Sequence, residues 1–481
     1  MKKVSSFILI LINILLLISC EKTITINIKS DIFDSISYKI EKKELYSISD
    51  LKEFNNEDYI FLGYSFNNKE LIKKDTEFIL NDNDTIYACF GISKDFFNIK
   101  SIGKVSIESS DKIDTKEEYR NAQIEIVKDD YYLKRDVLIK LRGNSTLWVD
   151  KKSYKLKFSE KENIMNMGSD KEWALLANYF DPTHLRNYYA YKMAIAVGLE
   201  YSIDLEFVEV YLNEEYQGLY LLTETVKTAK ERVNIEDENY SFLLELDEKL
   251  IQDNPNYEDT IGDEMFLLDN YPYGKVYAFG CKYPKSFKDI SVTEYEYIIE
   301  FMNTVFKSVR SHTFYDYIDI ESFINYYLIQ ELFMNVDVDY SSVYMYKGKS
   351  GKLSFGPIWD FDLSSGNVSY VNNYNPNSFM KNINGGSYLF ETALKNDKFR
   401  IEVKNRLDEL NKDIIPLMIN SIGLNMTKLA SYAKLDNNKW NVLADHNWAR
   451  PEHLVNISYE EQVAYFKYFV SEHNKFMLAN Y

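Results

Sequence analysis

The rhythm of hydrophobic and polar positions changes along this chain. Val137 to Leu141, Tyr154 to Phe158, Phe207 to Leu212, Leu219 to Thr223 and Phe242 to Leu246 alternate or run apolar over five or six residues. Such short segments predict half-buried strands. Farther on the period lengthens. Asp319 to Phe333 reads as a helix that places Ile320, Phe323, Ile324, Tyr327 and Leu328 on one face. Residues 396–434 and 457–479 read as mainly helical. Between the two regimes Asp181-Pro182 predicts a helix start and Gly198 its end. A strand-rich half, 96–240, precedes a helix-rich half, 241–481, which predicts an α+β fold with two lobes. Upstream, Thr23 to Ile28, Phe61 to Phe66 and Asp84 to Phe90 predict a separate small β-rich module over residues 20–95.

Composition narrows the class. A chain of 481 residues suggests two or three domains, and 46% hydrophobic content is enough to bury a large core. The net charge of −18 argues against nucleic acid as the main partner. An acidic protein that holds a nucleotide needs a local basic pocket. Lys2 and Lys3 precede an apolar run from Phe7 to Ile18, which is short for a membrane span and suits a targeting segment over residues 1–19. Cys89 and Cys281 are far apart in sequence, and the five histidines are scattered without zinc spacing.

The chemistry concentrates at two aspartates. Asp337 lies in Asn335-Val336-Asp337-Val338-Asp339, and Asp360 in Ile358-Trp359-Asp360-Phe361-Asp362. Between them Val343 to Tyr346, a Gly-rich turn and Lys352 to Phe355 predict a hairpin. Folding it brings position 337 back beside position 360, since paired strands lie roughly 5 Å apart. Two carboxylates at that range repel unless a cation or proton sits between them, so magnesium for phosphate chemistry is the natural use. The plain alternative is that both residues cap turns. Arg142-Gly143-Asn144 lies between two strands, where Gly permits close approach to a phosphate and Arg adds charge-assisted bonds. Lys155 and Lys157 share one face of the next strand. They can reach nucleotide phosphates or form a solvated face. Glu224 can pair with such a lysine, contact the nucleotide, or simply end a strand. Asp181 suits a cap before Pro182, and Arg186 suits either a phosphate or a buried carboxylate.

Several blocks in order resemble the CotH (spore coat protein H) kinase-like family. They are Leu141-Arg142-Gly143-Asn144-Ser145, Lys151 to Phe158, Trp173 to Ala177, Asp181 with Leu185-Arg186-Asn187, Val210 to Asn213 with Gly218 to Glu224, and the two Asp segments. The resemblance spans about residues 100 to 480. It implies a two-lobed atypical protein-kinase fold that moves phosphate from ATP to Ser or Thr of secreted or surface proteins. It implies Asp337 as the catalytic acid and Asp360 as the magnesium ligand, with manganese also suited. It turns the reading of Arg142, Lys155, Lys157 and Glu224 towards the nucleotide. Family members usually place Asn five residues after the first Asp. This chain has Ser342 there, a weaker ligand that Asp339 or Asp362 can supplement, and this substitution opens a pseudokinase reading.

Other resemblances frame the alternatives. Leu17-Ile18-Ser19-Cys20 resembles a bacterial lipobox, which implies lipidation at Cys20 and an extracytoplasmic, membrane-anchored protein. A plain signal peptide or short anchor helix is the alternative. The stretch from Gly63 to Phe90 resembles the small β-grasp repeats that serve bacterial surface proteins as stalks. Such a stalk also suits a non-catalytic surface scaffold or adhesin. The Asp-x-Asp runs resemble those of haloacid-dehalogenase phosphatases, which carry them on the first strand of a doubly wound sheet. The expectation is an extracytoplasmic Ser/Thr kinase, with the scaffold second and an Asp-dependent phosphatase third.

Overall fold

The structure is a computed structural model and describes residues 23–30, 35–52, 54, 58–67, 71–73, 76–235, 240–268, 276–371, 375–382 and 388–481. The targeting segment and Cys20 lie outside the described residues. The chain divides into two compact units, Met1–Phe96 and Phe97–Tyr481. Among the described residues no helix is long and apolar enough to cross a membrane.

In the first unit, alternation builds a four-stranded sheet from β1 (Thr23–Lys29), β2 (Ile36–Glu41), β3 (Tyr59–Ser65) and β4 (Asp84–Ile92). The order is β2-β1-β4-β3, with the central pair β1 and β4 parallel. Ile24, Ile26 and Ile28 of β1 face a core shared with Tyr46, Tyr64, Ile86 and Ala88, as the period of two requires.

The second unit opens with a closed barrel. Its strands are β5 (Gly103–Glu108), β6 (Arg120–Lys128), β7 (Tyr131–Arg142), β8 (Ser153–Asn163), β9 (Ser169–Leu176), β10 (Leu205–Leu212) and β11 (Glu215–Thr223). The order is β10-β11-β9-β8-β7-β6-β5, and a parallel β5–β10 pair closes it. Closure removes sheet edges and drives alternate side chains inward. Ile124, Ile126, Ile139, Leu156, Trp173, Val208, Val210 and Leu222 fill the interior.

The helix-rich half holds more sheet than its pattern predicts. β12 (Phe242–Leu246), β13 (Met265–Leu268), β14 (Tyr277–Tyr283), β15 (Val343–Lys347) and β16 (Leu353–Phe355) form a second, antiparallel sheet in the order β13-β14-β12-β15-β16. β13 has only four residues and β14 contains Gly280 and Cys281, so neither gives a strong alternating signal. The helices Val292–Arg310, Asp397–Leu410, Ile414–Trp440 and Tyr459–Asn480 complete the body.

Two helix expectations change. The helix predicted from Asp181 begins at Arg186 and runs to Ala196. Asp181 does not cap it from the Ncap position. Its carboxylate instead accepts the Thr183 N–H at 3.0 Å and the Arg186 N–H at 2.9 Å, holding a tight turn ahead of the helix. The helix Ile320–Phe333, capped by Asp319, was expected to bury one face, yet every residue from Phe323 to Phe333 is buried. Two of its polar members are well partnered: the Asn325 amide donates to Val197 O at 3.1 Å and accepts from Arg406 Nε at 2.9 Å, and the Glu331 carboxylate accepts the Met380 N–H at 2.7 Å. A helix wrapped on all sides is a rigid mount for whatever follows it.

Arg186 is a fully buried charge in this body. It pairs with Asp181 at 2.6 Å and donates from Nε to Ser364 O at 2.9 Å. Removing one partner of such a pair strands the other. Arg186→Met is therefore expected to lower unfolding stability by about 3–5 kcal/mol, read as a fall in the urea midpoint. A loss below about 1 kcal/mol would show that the pair is not needed to hold the fold.

Candidate functional site

A cavity of about 920 Å³ opens in the second unit. Five stretches converge on it: the end of β7 and its loop, the segment after β9, the segment after β12, the turn from Asn335 to Ser342, and residues 359–362.

Asp337 is placed by the end of the buried helix. Met334 adopts left-handed φ of 47°, and the Asn335 N–H closes back on Gln330 O at 3.0 Å. The Asn335 side chain accepts the Asp337 N–H at 3.2 Å. Tyr340 and Ser341 N–H then both donate to Asp337 O, at 2.9 and 3.0 Å. These bonds fix a tight turn with the Asp337 carboxylate on its cavity side.

Asp360 is held from other directions. Its N–H donates to the Tyr191 hydroxyl at 3.3 Å, and the Phe361 N–H donates to Asn187 Oδ1 at 2.7 Å. Asn367 donates to Asp362 O at 2.7 Å, and Arg186 takes Ser364 O. The Ser365 N–H donates to Phe333 O at 2.6 Å. That last bond ties the Asp360 loop to the same helix end that delivers Asp337. Both Asp360, at φ 65°, and Ser342, at φ 61°, occupy left-handed backbone, which is uncommon for residues other than glycine and concentrates at functional sites.

The predicted β15–β16 hairpin exists, pairing Met345 with Phe355 and Lys347 with Leu353. Its register centres on Ser350, and its pairing stops well short of both aspartates. The ribbon starts the approach of the two acids, and the Ser365–Phe333 bond and the Asp337 turn complete it.

Burial sets the electrostatics. It pushes the Asp337 carboxyl up to about 7, with the charge of Asp360 adding to the effect. Burial also raises Asp360, against the pull of Lys249 and Arg142. Asp362 is driven well above the usual carboxylate range by burial and by Asp360, Asp181 and Asp337. Two cations answer these acids. Arg142 lies over the Trp359 ring, 5.1 Å from its centroid, and Trp359 stacks on Tyr191 at 5.7 Å. Lys249 follows β12. Burial works against its charge, but Asp337, Asp360 and Asp247 outweigh this and raise it. Among the described residues neither cation makes a side-chain hydrogen bond or a close ion pair. Their donors are available for an anion.

Asp337, Ser342, Asp360, Asp362 and Arg142 thus line one cavity. Lys155, Lys157 and Glu224 do not line it. The pairing of β7 with β8 sends Tyr154, Leu156 and Phe158 into the barrel and both lysines outward. Lys155 pairs there with Glu172 at 2.9 Å, and Lys157 lies 5.9 Å from the Tyr119 ring centroid. Glu224 is buried against Arg232 and accepts the Asp204 N–H at 2.9 Å. Asp339 does line the cavity, but its carboxylate accepts the Tyr277 hydroxyl at 2.6 Å, so of the two acids expected to supplement Ser342, Asp362 is the better placed. Arg186 takes the structural role. Sequence reasoning missed Lys249, which sits in Asp247-Glu248-Lys249 and looks like an ordinary solvated charge run after a strand. It also missed Tyr191 and Trp359 as the support beneath Arg142.

The geometry describes an α+β protein with a half-buried acidic centre faced by two cations that have no close ion-pair partner among the described residues. A family model described as CotH kinase protein matches residues 139–477, well over half of the chain. The chain belongs to the CotH kinase family and is a kinase-like protein. No curated protein matches it.

The raised Asp337 carboxyl carries a stability cost. A carboxyl whose folded value lies near 7 rather than 3.8 favours the folded state fully below pH about 4. That contribution is lost as pH rises through about 7, because the folded protein then buries a charge. Asp337→Asn removes this dependence. With metal chelated, the variant is expected to exceed wild type in unfolding free energy by on the order of 3 kcal/mol at pH 8, and to match it near pH 4. Parallel urea curves at both pH values would exclude the buried-charge account.

Proposed function

We propose that this protein is an atypical protein kinase that transfers the terminal phosphate of ATP to Ser or Thr of secreted or surface proteins. One observation carries the reading: Asp337 and Asp360 share a cavity with Arg142 and Lys249, whose donors face acids but no partner within bonding reach. Phosphoryl transfer asks a protein chiefly for positioning and charge neutralisation. A carboxyl near neutrality suits removal of a hydroxyl proton, and Asp337 has that character. The barrel on one side and the helical body on the other support a two-lobed kinase-like arrangement.

The donors also suit a divalent cation. Asp360 and Asp362 are hard oxygen ligands in a site with excess negative charge, and Ser342 adds a hydroxyl. Among the described residues no three acidic, His or Cys side chains form a ready-made cage. Magnesium needs none, since it is commonly held by one or two carboxylates together with substrate phosphates. Asp360, helped by Asp362 and Ser342, would hold magnesium, or manganese, which when bound neutralises triphosphate charge. Asp337 orients the acceptor hydroxyl and takes its proton. Arg142 offers a planar fork of donors to the phosphates.

The location follows from the sequence alone. The basic start, the apolar run and the Cys20 lipobox support an extracytoplasmic lipoprotein whose membrane contact is its lipid. The charge of −18 leaves nucleic acid without support as a partner. A second reading, a surface scaffold on an inactive kinase fold, is favoured by Ser342 in the place of Asn. Nothing favours the phosphatase: the aspartates sit in a turn and a loop, not on the first strand of a parallel sheet.

Purified protein mixed with labelled ATP, magnesium and casein-like or surface-protein acceptors should incorporate label, and Asp337→Asn should lose about 10²–10⁴-fold. Equal labelling by wild type and Asp360→Ala would remove the kinase reading. ATP with magnesium should also raise the melting temperature of wild type by an amount set by concentration over affinity. A shift without transfer would favour the scaffold.

Ser342→Asn gives a finer test. Asn tolerates left-handed backbone better than Ser, so the change is expected to stabilise by up to about 1 kcal/mol and to tighten ATP–magnesium binding. A variant that loses both stability and nucleotide affinity would show that position 342 does not face the metal.

A further inference from the structure

Lys249 is held more firmly than its place on a short helical turn suggests. The neighbouring Glu248 N–H donates to Tyr340 O at 2.8 Å, and the Tyr340 hydroxyl donates to Gln252 Oε1 at 2.6 Å. The Lys249 N–H donates to Asp247 Oδ1 at 3.1 Å, and its ammonium lies 5.6 Å from the Tyr340 ring centroid. Tyr340 belongs to the turn closed on Asp337 O. The backbone of Lys249 and the backbone of Asp337 are thus clamped to one another.

The two cavity cations are not equivalent. Arg142 rests on Trp359, and the carboxylate it acts on most is Asp360. Lys249 acts on both Asp337 and Asp360, and it is the cation that pulls against the rise of the Asp337 carboxyl. Any acceptor hydroxyl that gives its proton to Asp337 must attack a phosphorus close to that carboxylate. The terminal phosphoryl group therefore belongs at the Lys249 end of the cavity, and the earlier phosphates towards Arg142.

We propose that Lys249 is a further catalytic residue whose ammonium grips the transferring phosphoryl group and stays with it as it moves to the acceptor oxygen. The proposal rests on the kinase reading above. In the step, the acceptor oxygen forms a bond to the terminal phosphorus. The bond from that phosphorus to the bridging oxygen breaks, and ADP leaves with the electron pair. The hydroxyl proton passes to the Asp337 carboxylate. Lys249 remains protonated throughout and supplies donors to the equatorial oxygens, where charge spreads in the transition state.

The test compares wild type, Lys249→Met and Lys249→Arg in the full chain. Lys249→Met is expected to lose about 10²–10³-fold in kcat while still unfolding without ligand in a single cooperative transition. Lys249→Arg should recover part of the loss. Melting shifts with magnesium and ATP or ADP give a readout independent of turnover: the Met variant should weaken ATP binding and leave ADP binding unchanged. A kcat within about threefold of wild type, or equal weakening of ATP and ADP, overturns the proposal. If wild type binds ATP but transfers nothing, the kinase reading fails by itself. The contact of Lys249 with the terminal phosphate is then judged by the ATP-to-ADP comparison alone. If wild type binds neither nucleotide, both fall.

Discussion

Three carboxylates, Asp337, Asp360 and Asp362, sit half-buried within reach of one another's charge. Left to itself that arrangement flies apart or takes up protons. Much of the second unit is the apparatus that prevents it. The wrapped helix Ile320–Phe333 gives Asp337 a fixed base, and Ser365 bonds to the end of that helix. Arg186, itself paired with Asp181, holds Ser364 from the opposite side. The backbone at Asp360 and Ser342 is bent into left-handed conformations. Strain of this kind persists only where the surroundings over-determine it, and the bonds from Tyr191, Asn187 and Asn367 do so around Asp360.

The compensation is incomplete, and that is informative. Arg142 and Lys249 face the acids without bonding them closely. A protein selected only for stability would place apolar residues here, since replacing buried ion pairs by well-packed hydrophobic residues is often neutral or stabilising. A site with excess acid and free cationic donors has room for an anion and a divalent cation together. Either one alone leaves the charges unbalanced. On the proposed reading, the same structure that is costly when empty would become balanced when a metal-bound polyphosphate enters.

Much of this was legible in the chain. Alternation located β1, β7 and β10, whose sheets bury one face, and an apolar run located β12, which is buried throughout. The Asp337 and Asp360 segments stood out because the hairpin predicted between them folds the two acids towards each other. The errors have physical sources. Lys155 and Lys157 share a face, but only barrel closure decides that this face looks outward. The helix Ile320–Phe333 showed one apolar face because Asn325, Gln330 and Glu331 are polar, whereas tertiary packing buries them with partners. Lys249 was invisible because its role depends on contacts with a turn some ninety residues later. A charged triplet after a strand gives no local hint of that.

The chain's excess negative charge and its cationic donors reconcile on this basis. A polyanion approaching a protein of charge −18 meets repulsion over most of the surface. Screening confines that repulsion to about 8–10 Å at ordinary ionic strength. Within the cavity the local balance governs, and there Arg142 and Lys249 lie beside carboxylates that a divalent cation can claim. If the site takes a metal-bound nucleotide as proposed, metal binding to the acids would withdraw negative charge from the cavity where the phosphates need it withdrawn. On the proposed reading, metal and nucleotide would enter as mutually supporting ligands, each lowering the electrostatic barrier for the other. Such linkage also gives a reason for retaining strained, repelling acids at the centre of an otherwise well-satisfied fold. On that reading they would tie occupancy of the site to the arrival of both components.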